Sequence, residues 1–160
     1  GYPPTFLLFL APLGYMGFGA AALLWTGVTG GAFLFATVRL LDLRGGDVAR
    51  GVAVLLLMPA VMVNAVYGQS GFLVSALLIG ALAALPRRPV LAGLLLGLAT
   101  VKPQMGLLVP VALVAAGQWR AIGAAVTSAA LLMLISLLAY GNIWPEWLAI
   151  MPVHGALMAA

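Results

Sequence analysis

The chain is a succession of long apolar runs separated by short polar breaks, and the breaks are of two kinds. One kind carries charge. It comprises "RLLDLRGGDVAR" with Arg39, Asp42, Arg44, Asp47 and Arg50, "LPRRPV" with Arg87 and Arg88, and "GQWRA" with Arg120. The other kind is made of turn residues and amides, in "YGQSG", "VKPQ" and "YGN". Within the runs the apolar residues are continuous and not alternating, which predicts helices and argues against a β-barrel. The positive-inside rule puts all three charged breaks on the cytoplasmic side. Between each pair the chain must then cross an even number of times, or dip in and return.

That constraint yields a topology. The run from about Tyr15 to Val38 spans and ends inside, so Tyr2-Pro3-Pro4 starts outside. "TFLLFLAPLG" is short and closed by Pro12 and Gly14, as an outer half-helix or interfacial helix would be. The chain rises from Val48 to about Val66, turns at "YGQSG" and returns through about Leu85. It rises again from Pro89 to Val101, turns at "KPQ", and returns to Ala116. A last rise runs from Ala121 to Tyr140, before an interfacial "GNIWPEW" whose Trp144 and Trp147 suit the headgroup level. As one helix, Pro89 to Ala116 would be about 42 Å long, too much for a core of about 30 Å. Broken at Lys102-Pro103, each arm is too short to cross. Pro103 disfavours helix at Lys102. The "KPQ" break is therefore expected below the outer surface, facing protein or a water-filled cavity.

Composition supports a membrane protein: of 160 residues, 65% are hydrophobic and 6% charged, against about a quarter charged in soluble domains. The net charge of +4 rests on too few charges to imply nucleic-acid binding. There is no cysteine, which excludes disulfides and thiolate chemistry. One histidine and three acidic residues offer no metal cluster, and no cofactor is expected. "GLLLG" (Gly93, Gly97) and "GVTGG" (Gly27, Gly31) match the small-xxx-small pattern of close helix packing. The chain opens on Gly1-Tyr2 without Met or a signal peptide and ends on "HGALMAA" in a fresh apolar segment. It is expected to be part of a larger membrane protein.

Few side chains can carry chemistry. Lys102 is the foremost, since a lysine at membrane depth usually has a purpose. It could hold a phosphate as a point charge, or snorkel to the headgroups from a helix end. Gln104 beside it adds an amide. Gln69, Asn64 and Ser70 fall on the same outer side and could bind sugar hydroxyls, or simply form a solvated turn. Tyr2, held by two prolines, could stand at a pocket mouth or anchor at the interface. Glu146 is the one acidic residue expected outside and a weak candidate for a general base. Its place in "WPEWL" equally suits the first turn of a helix, where the dipole favours it. His154 is outside too, as a ligand or a structural residue. Asp42 and Asp47 lie on the wrong side and are expected to pair with Arg39, Arg44 and Arg50.

The order of these groups resembles glycosyltransferase family 87. "YPP", an apolar helix with a Trp, "GQS", "RRP", "LAGLLLGLATVKPQMGLLVPVALV", "GQWRA" and "YGNIWPEW" follow one another along nearly the whole chain. "AGLLLGLATVKPQ" with the upstream "GQ" is the most specific part. The resemblance implies a polyprenyl-phosphate-mannose-dependent type of mannosyltransferase. Its fold would be all-α, a polytopic transmembrane bundle of GT-C type with short broken or re-entrant helices on the outer side. Residues 1–160 would form one membrane-embedded domain within it. It further implies an inverting transfer of mannose or another hexose from a polyprenyl-phosphate donor to a lipid or glycan acceptor. The site would face the periplasm or exterior of a bacterial inner membrane. Lys102 would match the family's "KPQ" lysine, at the donor phosphate, and Gln69 the "GQ" glutamine. Such enzymes take their base from an acidic residue in the first large external loop, which would precede Tyr2. A transporter or lipid flippase with its site at the Lys102 break is the rival, although the sequence has no internal repeat. A packing subunit in which Lys102 only snorkels is a third possibility.

Overall fold

A computed structural model describes residues 2–150, which are mostly helical with no strand among them. Gly1 and 151–160, and with them His154, lie outside the described residues. The N-terminal stretch is short and irregular: a 3-10 turn Pro4–Phe6, helix α1 Leu7–Leu10, and a second 3-10 turn Ala11–Tyr15. Then come α2 Phe18–Leu40, α3 Gly46–Leu56, α4 Pro59–Val66 and α5 Gly71–Ala84. After these follow α6 Pro89–Leu98, which runs into a 3-10 turn Ala99–Val101, then α7 Val109–Ala115 and α8 Trp119–Tyr140. Residues 144–150 are again helical.

Two helices, α2 and α8, are long and apolar enough to cross a membrane. At 1.5 Å per residue they reach about 35 and 33 Å, beyond the ~30 Å hydrocarbon core. Buried Thr29 and Thr37 do not interrupt α2, because each hydroxyl donates to a carbonyl one turn back, of Trp25 and Phe33. Helices α5 and α6 are shorter apolar helices, each ~15–21 Å long. The expected single rise from Val48 to Val66 is instead two helices, α3 and α4, bent by 67°. The cause is Pro59, which drives Met58 to ψ 128° and removes an N–H from the ladder. With that bent pair counted as one span, the spans number up to three.

Helices α2, α5, α6 and α8 pack side by side in that order. Their directions follow from which residues meet. Gly30 and Phe33 of α2 face Phe72, and Ala36 faces Gly80, so α2 and α5 run parallel. Gly93 meets Ala121 and Ala124, and Gly97 meets Ala125 and Ser128, so α6 and α8 run parallel. Gly80 against Leu95 turns the two pairs antiparallel. One end of the bundle therefore gathers Arg39 to Arg50, Arg87, Arg88 and Arg120. The start of α5 and the end of α6 are at the other. This is the arrangement expected from the charges.

The α6–α8 contact shows what the glycines do. A Cβ at Gly97 would stand 2.5 Å from Ser128 Cβ and 2.6 Å from the Ala125 carbonyl. Ser128 Oγ, brought this close, donates to the Leu94 carbonyl at 3.0 Å. The same motif in α2 behaves differently: Gly27 and Gly31 have open space around them, and Gly30 is the glycine that faces a neighbouring helix.

Candidate functional site

The break at "KPQ" is as the proline dictates. Lys102 is extended, with φ −141° and ψ 74°, between the 3-10 turn Ala99–Val101 and another at Pro103–Met105. The chain thus leaves α6 sharply and begins α7 only at Val109. Val101, just before the break, is fully buried in a cluster with Phe6, Val74 and Leu132. Helix α8 continues from Leu132 to Tyr140, which is ~12 Å further. The Lys102 backbone is therefore recessed below the end of the neighbouring long helix.

Lys102 does not stand alone. The residue is half-buried, and its ammonium lies over the Tyr2 ring, 5.6 Å from the centroid. Such a contact stabilises by ~0.5–2 kcal/mol, more as water is excluded. Tyr2 is itself fixed from two sides. Its ring stacks on Phe6 at 4.3 Å, and Phe6 meets Trp25 edge-on at 5.8 Å. Its phenol oxygen accepts a hydrogen bond from Ser70 Oγ at 2.8 Å. Ser70, 2% exposed, sits at the N-terminal end of α5 after the Gly68 turn, whose φ of 58° suits glycine. The "YPP", "GQS" and "KPQ" stretches thus meet at one point, although nearly a hundred residues separate the first from the last.

Charge at this point is one-sided. Both ion pairs of the described residues, Arg44 with Asp42 and Arg50 with Asp47, lie at the other end of the bundle, and neither includes Lys102. Two open grooves flank the cluster. One, of about 380 Å³, runs between the N-terminal stretch, α2 and the Tyr67-Gly68 turn, and is bordered by Tyr2 and Ser70. The other, of about 350 Å³, is apolar and is bordered by Thr100, Pro103, Leu107, Leu113 and Ile122.

The whole chain, residues 1–160, matches the sequence model of glycosyltransferase family 87. The chain belongs to that family. No curated protein and no solved structure matches it. Membership makes it a glycosyltransferase, which requires a sugar donor and an acceptor. The two long apolar helices agree with a membrane enzyme.

The remaining candidates of this family 87 chain are more dispersed. Gln69 and Gln104 are both exposed, and no hydrogen bond joins them. Asn64 is half-buried beneath the "GQS" turn, its carbonyl against Gly71, and its buried Nδ2 has no partner. Glu146 is exposed in the first turn of the 144–150 helix, where the dipole favours a carboxylate. Two residues that matter here were not singled out as site residues from sequence. Phe6 and Trp25 support the Tyr2 ring. Helical spacing was no signal for the first, because Tyr2 precedes the 3-10 turn Pro4–Phe6 and Pro3 between them is extended.

Proposed function

We propose that this family 87 enzyme moves a hexose, mannose foremost, from a polyprenyl-phosphate donor to a lipid or glycan acceptor. The transfer takes place on the periplasmic or outer face of a bacterial inner membrane. The observation that carries this reading is Lys102: a half-buried lysine without a carboxylate partner among the described residues, recessed at a helix break with its ammonium over an aromatic face. A cation in that condition suits a phosphate. The apolar groove beside Thr100 and Pro103 suits the isoprenoid chain that such a phosphate would carry. The end of the bundle opposite the arginines is, by the positive-inside rule, the outer one.

In this mechanism the acceptor hydroxyl attacks the anomeric carbon in line. The bond from that carbon to the phosphate oxygen breaks with inversion, and polyprenyl phosphate leaves. Lys102 stabilises the negative charge that stays on the leaving phosphate. Exposed Gln69 and Gln104 are the amides we assign to sugar hydroxyls at this end of the bundle, whereas the amide nitrogen of Asn64 is buried beneath the turn and is left out of that role. The acceptor proton goes to a carboxylate, which we assign to a segment upstream of Tyr2 and not to exposed Glu146.

The test is transfer by the full-length protein in vesicles, with defined polyprenyl-phosphate sugars. Lys102→Ala is expected to cut transfer at least ~10-fold. Near-normal turnover by that variant would remove Lys102 from the mechanism. Uptake of a solute without any lipid-linked sugar would favour a transporter instead.

A further inference from the structure

We propose, resting on the reading of Lys102 as the donor-phosphate ligand, that Tyr2 is its positioning residue. In this role the ring holds the ammonium in place without neutralising it, and Ser70 holds the ring.

The reason lies in how a lysine can be ordered. Its four-carbon stem is flexible, so a lysine that must meet a phosphate in one geometry needs a second contact. A carboxylate would supply one, but it would also cancel the charge and compete with the incoming anion. An aromatic face attracts the cation through its quadrupole and leaves the full positive charge and the ammonium hydrogens for a ligand on the other side. Here the contact is the Tyr2 ring at 5.6 Å, and neither ion pair of the described residues involves Lys102. The ring is more rigidly set than a surface tyrosine needs to be. Although Tyr2 is 40% exposed, it stacks on buried Phe6, which leans on Trp25. It also spends the hydroxyl of fully enclosed Ser70 on its phenol oxygen. A mere interfacial anchor would have no use for a buried donor.

The experiment uses the full-length enzyme in vesicles and three readouts: the KM for the lipid-phosphate donor, kcat, and the labelling rate of Lys102 by an amine-directed reagent, localised by mass spectrometry without donor present. Tyr2→Leu is expected to raise donor KM by about three- to tenfold and to change Lys102 labelling severalfold, while Tyr2→Phe, which keeps the ring face and loses only the hydrogen bond to Ser70, gives a clearly smaller change in both. Ser70→Ala should give a smaller shift in the same direction. A series of increasingly fluorinated phenylalanines at position 2 keeps the ring's shape and covers the case in which Tyr2→Leu does not fold. Donor KM should climb with fluorination, because the ring face loses its attraction for a cation. The proposal is overturned if Tyr2→Leu leaves labelling and KM unchanged, if Tyr2→Phe is as damaging as Tyr2→Leu, or if fluorination has no effect. Lys102→Ala separates the two levels. If it transfers normally, the phosphate role itself falls; if it fails while the Tyr2 variants behave normally, only the positioning role falls.

Discussion

The two ends of the bundle hold their charges under opposite conditions. At one end, Arg44 pairs with Asp42 at 2.8 Å with side chains 81% and 76% exposed, and Arg50 pairs with Asp47 at 3.4 Å in similar surroundings. At the other, the one lysine of the sequence is half-buried and meets an aromatic ring. Charges of the first kind cost little, because water and partners already solvate them. A charge of the second kind is costly at membrane depth, and in the proposed mechanism it is kept available for the donor phosphate. The contrast separates charges that orient the chain from the charge that can bind.

Reversing Lys102 is the strongest way to break that contrast. Lys102→Glu places a negative charge where the proposed donor phosphate would bind, and on that reading transfer should fall by about 10²–10³-fold, the scale seen when a transition-state donor is lost. Full-length protein in vesicles, normalised to the amount of folded enzyme, provides the measurement. A Lys102→Glu enzyme within a few-fold of wild type would make the two ends equivalent in function.

The close α6–α8 contact is next, because it carries the chain to the Lys102 break. Gly97→Val inserts atoms where a Cβ already meets Ser128 and the Ala125 carbonyl, at an expected cost of ~1–3 kcal/mol or more. Thermal or denaturant unfolding in detergent should show the loss, and transfer should drop with it. Gly27→Ala, which meets open space, should stay within ~0.5 kcal/mol of wild type. Equal stability of the two variants would mean that α6 does not rest on α8 as described.

Those two glycine motifs also mark what could be read from sequence. Both have the same small-xxx-small spacing, yet one is pressed against a helix and the other is open. Spacing reports that a surface is smooth; it does not report whether a neighbour covers it. The long apolar helices α2 and α8 were legible because length and hydropathy alone decide them. The break at Lys102 was legible because the run was too long for one crossing and Pro103 fixed the place. The α3–α4 bend was missed although Pro59 carries the same signal, since Val48 to Val66 happens to have the length of a span. Within the site, Lys102, Ser70 and Tyr2 were each singled out from sequence. That the lysine sits over the tyrosine, which is bound to the serine, depends on the packing of Phe6 against Val74, Val101 and Leu132. No local pattern encodes contacts across that separation. Gln69 and Gln104 share the expected end of the bundle but not a hydrogen bond.

The smallest expected effect tests the other side of the contrast. Asp42→Asn removes the partner of Arg44 at the charged end, where both oxygens of the carboxylate are engaged by the guanidinium. Even a bidentate pair this exposed contributes only a few tenths of a kcal/mol once solvent screens it. Asp42 also has a positive φ of 49°, a conformation that asparagine adopts at least as readily. Stability should therefore move by less than ~0.5 kcal/mol, and donor KM should not move at all. The arginine is kept, so the positive-inside signal is kept with it. A change in donor KM from Asp42→Asn would show that the charged end communicates with Lys102, and the division of labour between the two ends would have to be given up.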